Sequence, residues 1–273
     1  ISSETGALLE FLEAPLDDEE RPRIEVDCNQ VLFIINIPIV IKNGTFKYDT
    51  LPLGIILTET QIITVCLEEN EIINDLIKGR MKNFWTYKRT RLTFQILYKT
   101  ASYFLKYLKE IDRMTNEIEK ALHGSMENEE LIKLLNLGKS LVYFTTSLRL
   151  NEVVMKKLLR TKVLKMYEED EDLLEDVITE NRQAIDMSEV YSNILTGLMD
   201  AFASIISNNQ NKVMKFLASI TIILAVPSVI AGFYGMNVKL PLQNSPYGFL
   251  IVIVVSVISS MVAVYTMAKK RMF

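Results

Sequence analysis

Apolar and charged positions are interleaved along the chain up to about Lys215, and beyond it apolar residues run almost unbroken to the end. From Arg23 to Cys66, β-branched runs at Val31 to Ile41 and Ile55 to Cys66 predict a small sheet of short strands, punctuated by turn signals at Asn43-Gly44 and Leu51-Pro52-Leu53-Gly54. After Glu68 the spacing changes. Leu92, Ile96, Tyr103, Leu105, Leu108 and Ile111 recur at threes and fours, the period of a helix with one buried face. A break at Gly124-Ser125, followed by Asn128-Glu129-Glu130 as a helix start, predicts a second helix to about Lys165, packed antiparallel to the first. A third pattern begins near Asp172 and continues through Ile178, Ile185, Val190, Ile194, Leu198, Phe202 and Ile205 into the apolar tail. Helical to about Phe233, it covers some sixty residues, or about 90 Å at about 1.5 Å per residue.

No charge occurs between Phe216 and Val238, and none between Leu240 and Ala268. Each stretch holds the roughly 20 apolar residues that a bilayer crossing requires. Asn237 to Pro246, with its prolines, lysine and amides, suits a short water-facing turn between two spans. Lys212 and Lys215 precede the first span, Lys269, Lys270 and Arg271 follow the second, and only Lys239 lies between, so the positive-inside rule puts both termini in the cytoplasm. The expected fold is an α/β cytoplasmic domain followed by long helices and a two-helix transmembrane hairpin in the cell membrane. Its parts are a mixed α/β region (1–80), an antiparallel helical region (81–171), a long stalk helix continuing into the first span (172–233), an outer loop (234–246), and the second span with its basic end (247–273).

Composition narrows the chemistry. A formal net charge of -4, with basic residues dispersed rather than gathered in a stripe, argues against nucleic acid as a partner. Cys28 and Cys66 are too few for a disulfide framework and are expected as buried small apolar residues in a reducing compartment. His123 is the only histidine and falls in the expected turn between helices, solvated, so histidine-based metal sites and catalytic dyads have little to draw on. No phosphate-binding loop is present, which argues against direct coupling to ATP, and no enzyme chemistry or cofactor is called for. The N-terminus shows no targeting pattern, and residue 1 is Ile, as in a fragment of a longer chain.

Within the first span one helical face differs from the rest. Asn211, Met214, Leu217 or Ala218, Thr221, Ala225, Ser228 and Gly232 share it, while Phe216, Ile220, Ile223, Leu224, Ile230 and Phe233 crowd the others. Small residues in lipid can serve close helix packing, and their hydroxyls can bond to the preceding turn. On that reading the chain is a membrane-anchored helical scaffold. Alternatively the stripe lines a water-filled path, which one helix cannot enclose, so that several copies must surround an axis. Hydroxyl, amide and carbonyl oxygens suit a hard cation that keeps much of its hydration shell, as magnesium does.

The first span ends in Ile230-Ala231-Gly232-Phe233-Tyr234-Gly235-Met236-Asn237, and here the sequence resembles the CorA family of magnesium transport proteins, with that family's Gly-Met-Asn signature, preceding aromatic, following loop, second span and basic end. The resemblance implies a homopentameric channel that moves hydrated Mg2+ into the cytoplasm. It implies a selectivity filter at Gly235, Met236 and Asn237, the amide of Asn237 repeated in a ring at the outer mouth. Pore-lining residues would be Asp200, Asn211, Met214, Leu217, Thr221, Ala225 and Ser228, with Met214 and Leu217 as the hydrophobic constriction and Asp200 as an inner acidic ring. Pro227 sits one residue nearer the signature than in some relatives, and the outer loop has no acid where some relatives carry one. The alternative within the resemblance is a related transporter preferring cobalt, nickel or zinc.

Glu168 to Asp176 holds seven acids in nine residues. Such a run is commonly a solvated turn. The resemblance places Asp176, with Asp172 and Glu175 beside it, at a subunit interface where cytoplasmic Mg2+ holds the closed state, with Glu68 and Glu69 as candidate partners. Membrane lipid, further copies of the chain and divalent cations are the expected partners, with Mg2+ as both substrate and regulator.

Overall fold

The computed structural model describes residues 2–41, 48–80, 85–124, 128–161, 163–238, 240–241 and 246–269. The Asn43-Gly44 turn, Ser125, Lys239, Lys270 and Arg271 lie outside them. The chain divides into two compact units, 1–199 and 200–273.

In the first unit, short helices α1 (Ser2–Thr5) and α2 (Leu9–Glu13) lead through a 3-10 turn into four strands. Strands β1 (Arg23–Asp27), β2 (Gln30–Val40), β3 (Tyr48–Leu57) and β4 (Ile62–Cys66) pair in sequence order, antiparallel throughout. Period-two alternation gives β2 two apolar faces. Phe33, Ile35 and Ile37 join a core that includes Leu92, Phe94, Met155, Leu158, Leu174 and Val177, while Leu32 and Ile34 pack with Phe11 of α2. The sheet is therefore sandwiched between helical layers, which explains why its strands read as continuous apolar runs.

Helix α3 (Glu71–Ile77) starts at Asn70, whose side chain accepts the Ile73 N–H at 2.9 Å. Asp75 ties it to α4 (Arg89–Gly124), accepting from the Tyr103 hydroxyl at 2.8 Å and from Lys99 Nζ at 3.1 Å. Those two donors, the tyrosine first, hold the Asp75 carboxyl below its ordinary range. Helix α5 (Asn128–Thr161) runs back along α4, with Phe104 meeting Phe144 edge to face at 5.0 Å. Helix α6 (Glu168–Tyr234) begins in this unit, where Asn181 Nδ2 donates to the Leu148 carbonyl at 3.0 Å and Thr145 and Ser188 share a hydrogen bond at 2.7 Å.

Four expectations are corrected here. Leu51 to Gly54 is no turn: it lies inside β3, opposite Ile37 to Ile34 on β2. Gly54 is tolerated mid-strand because a Cβ there would overlap the Pro15 ring, a packing that only glycine permits. Pro52 faces Asn36, whose N–H and carbonyl are both engaged by the side chain of Asn151, so the missing proline donor leaves no gap. The run from Ile55 to Cys66 is two strands separated at Thr58 to Gln61. Neither cysteine is buried. Cys28 is exposed and, with Asn29, takes left-handed φ values of 46° and 61° in the two-residue turn between β1 and β2, where a type I′ geometry is favoured. A hydrogen bond with Asp27 raises its thiol pKa, which disfavours the reactive thiolate. Lastly, α4 continues through His123 to Gly124, so the histidine belongs to a helix end rather than to a turn.

The second unit contains the rest of α6 and helix α7 (Gly248–Lys269). Both are long and apolar enough to cross a membrane. Pro227 inside α6 has no N–H for the Ile223 carbonyl, a fixed weak point in that helix. Ser219 and Met267 are among the few buried side chains of this hairpin, and large apolar residues such as Leu224, Val229, Ile258 and Val262 are exposed. That distribution is unfavourable in water and natural in lipid.

Candidate functional site

On the 200–234 part of α6, Asp200, Asn211, Met214, Leu217, Thr221, Ala225 and Ser228 are all exposed. From Asn211 to Ser228 the stripe is about 26 Å long at about 1.5 Å per residue. None of the described residues covers it. Met214 is 58% and Leu217 57% exposed, an unusual position for two large apolar side chains beside amide and hydroxyl groups.

The hydroxyls have a defined orientation. Thr221 Oγ1 donates to the Leu217 carbonyl at 2.9 Å, and Ser228 Oγ donates to the Leu224 carbonyl at 2.9 Å. Each proton is thereby directed along the helix, and the oxygen lone pairs remain for a donor or a cation outside it. Back-bonding of this kind is what helix packing in lipid would also produce.

Helix α6 stops at the signature. The Gly235 N–H bonds to the Ala231 carbonyl at 2.9 Å and the Met236 N–H to the Phe233 carbonyl at 3.3 Å, closing the last turn. A Cβ on Gly235 would sit 3.4 Å from the Ala231 oxygen, an ordinary contact, so no contact among the described residues requires glycine there. Met236 and Asn237 follow as exposed residues, and the Asn237 carboxamide makes no hydrogen bond among the described residues.

The acidic run at the start of α6 is not one set. Its first-turn acids face the positive helix end. Asp170 is buried, accepts the Tyr167 N–H at 3.2 Å and lies 3.9 Å from Arg91, which also pairs with Glu169 at 3.1 Å. Asp172, Glu175 and Asp176 share an exposed helix face by their spacing of three and four and form no ion pair among the described residues. Glu68 and Glu69 are exposed. Among the described residues no three His, Cys, Asp or Glu side chains converge to hold a metal ion. Arg91 was not anticipated from sequence; the clustering of acids in a first helical turn was the available signal that some of them serve the helix itself.

The family model described as CorA-like Mg2+ transporter protein matches residues 8–270. A cobalt/magnesium transport protein CorA from Methanocaldococcus jannaschii is 32% identical over 275 aligned residues, covering 97% of this chain and 84% of that protein. The protein of the same name from Thermotoga maritima is 25% identical over 264 residues, covering 95% and 75%. Among solved structures, the complete CorA magnesium transporter from M. jannaschii superposes with a TM-score of 0.87 at 32% identity, over 98% of this chain and 84% of the other. The full-length CmaX protein, at 17% identity and a TM-score of 0.74, shares the fold. Since the family match runs from the start of α2 to the end of α7, over both units, the chain belongs to the family of CorA-like Mg2+ transporter proteins.

Proposed function

We propose that this membrane protein assembles as a homopentamer around the α6 stripe and admits hydrated Mg2+ to the cytoplasm, driven by the membrane potential. The family is one of transporters, not enzymes, and the M. jannaschii structure named for magnesium shares both units with this chain. The observation that carries the reading is the run of exposed oxygen-bearing side chains on one α6 face, ending at Gly235, Met236 and Asn237. Asn237 receives the hydrated ion at the outer mouth. Thr221, Ser228 and Asn211 offer oxygens along the path, and Met214 and Leu217 close it by excluding water. Both termini lie on the cytoplasmic side.

In proteoliposomes with an inside-negative potential the full chain should take up Mg2+, with about 4.6 kcal/mol favouring entry per divalent ion at 100 mV. A protein that forms no oligomer in detergent and passes no Mg2+ would leave only the scaffold reading. Co2+ is the second cargo to test, because the first two relatives are named for cobalt as well as magnesium. A Co2+ flux undiminished by excess Mg2+ would reassign the preferred ion.

Regulation follows from charge. Asp172, Glu175 and Asp176, exposed and without an ion pair among the described residues, face a neighbouring subunit, where bare carboxylates repel and Mg2+ bridging them favours the packed, closed arrangement. Changing Asp176 and Asp172 to Asn and Glu175 to Gln should lower the sensitivity of uptake to internal Mg2+ by about tenfold, within the range of ordinary coupling between sites. Inhibition by internal Mg2+ that is unchanged in this triple variant would remove these residues from regulation.

A further inference from the structure

Beside Pro227 of α6, along one flank of α7, lies an open groove of about 570 Å³ whose wall includes Ser256, Met261, Val264, Tyr265 and Ala268. We propose that this groove holds an acyl chain of an anionic phospholipid whose phosphate meets Lys269. The proposal rests on the hairpin crossing a bilayer, as inferred above, and adds to it a specific lipid site.

Three features point to that ligand. The first is length. Ser256 to Ala268 rises about 18 Å at about 1.5 Å per residue, close to the roughly 15 Å of one leaflet in a hydrocarbon core about 30 Å thick. Wall chemistry is the second. The surface is apolar, and the Ser260 hydroxyl already donates to the Ser256 carbonyl at 2.9 Å, so that donor is not offered to a polar ligand. A long unbranched hydrocarbon matches such a wall better than any ligand needing hydrogen bonds along its length.

The third feature is charge at one end only. Lys269 is exposed, ends α7 and follows Ala268 directly. Tyr265 lies one turn earlier on the same face, 67% exposed, an amphipathic ring of the kind that gathers at the headgroup level. Among the described residues of 200–269 the cations are Lys212, Lys215 and Lys269, and only Lys269 belongs to the helix that forms most of the groove. No charge stands at the Pro227 and Ser256 end. A headgroup with net negative charge gains from this lysine, about fivefold for one juxtamembrane lysine, whereas a zwitterionic headgroup brings its own cation.

Fluorescence quenching by brominated lipids tests this in the full chain. Trp85, the single tryptophan, is replaced by Phe, and a reporter is placed in the groove (Val264→Trp) or on another exposed face of α7 at nearly the same depth (Val262→Trp). In bilayers of phosphatidylcholine and phosphatidylglycerol, the Val264→Trp reporter should show about a fivefold preference for the anionic lipid, the Val262→Trp reporter a smaller one, and adding Lys269→Gln should lower the preference at Val264→Trp, with Lys270 and Arg271 still in place. Equal quenching by both lipids at Val264→Trp overturns the proposal. Quenching at Val262→Trp with none at Val264→Trp also overturns it, by showing that a second copy of the chain fills the groove. Absence of quenching at both positions means the hairpin is not in the bilayer, and the membrane reading itself fails.

Discussion

Asn237→Ala should reduce Mg2+ uptake by tenfold or more while leaving the oligomer and its melting temperature unchanged. The side chain is exposed and makes no hydrogen bond among the described residues, so its removal costs the fold little, within about 0.5 kcal/mol for a surface site of this kind. Its effect on transport is multiplied by assembly. Around a fivefold axis a loss of about 0.5 kcal/mol per amide, the low end for a neutral hydrogen bond, sums to about 2.5 kcal/mol, well past the 1.4 kcal/mol of a tenfold change. Asn237→Gln keeps the carboxamide on a longer arm and should retain part of the flux. Wild-type uptake by Asn237→Ala, in a preparation with intact oligomers, would remove the Gly-Met-Asn segment from ion selection and leave the α6 stripe as a packing surface.

The proposed assembly also accounts for a feature of the proposed site: every residue assigned to it is exposed in one chain. Thr221 and Ser228 direct their protons to the Leu217 and Leu224 carbonyls and keep their lone pairs free, an arrangement that helix packing in lipid also produces. It is a good arrangement for meeting water that is bound to a cation, since such water presents protons outward. Replacing either hydroxyl alone removes an acceptor but leaves the helix intact.

The hairpin and the long approach helix were legible because their signal is local. Two charge-free stretches separated by Asn237 to Pro246 can hardly be anything but a pair of spans, and the apolar spacing from Ile178 to Ile205 carries one period without a stop. What could not be read depends on residues distant in sequence. Pro52 and Gly54 signal a turn, yet Asn151 and Pro15 supply the partner and the steric fit that let them sit within β3. Cys28, a residue type more often buried, stands at a turn tip because the register of β1 against β2 leaves only two residues to reverse the chain. Similarly, the acidic run looked uniform until Arg91, on α4, divided it into acids that serve the fold and acids that remain unpaired.

Asn151→Leu should strongly destabilise the first unit. Asn151 is fully buried; its Oδ1 accepts the Asn36 N–H at 2.8 Å and its Nδ2 donates to the Asn36 carbonyl at 2.7 Å. The Asn36 carbonyl cannot turn to its cross-strand neighbour instead, because Pro52 has no N–H. Leucine has nearly the right volume, so the loss is not a cavity but two stranded main-chain groups, at about 1–3 kcal/mol each. The expected cost of about 2–6 kcal/mol corresponds to a drop of roughly 4–24 °C in melting temperature for a unit of this size. Ser147→Ala is the graded control: it removes the acceptor of Asn36 Nδ2 and the donor to Thr50 Oγ1 but leaves the main-chain pair to Asn151 intact, and should cost about 1 kcal/mol. If Asn151→Leu melts with the wild type while Ser147→Ala does not, the strand is held by the side-chain network and not by the amide that bridges its backbone to α5.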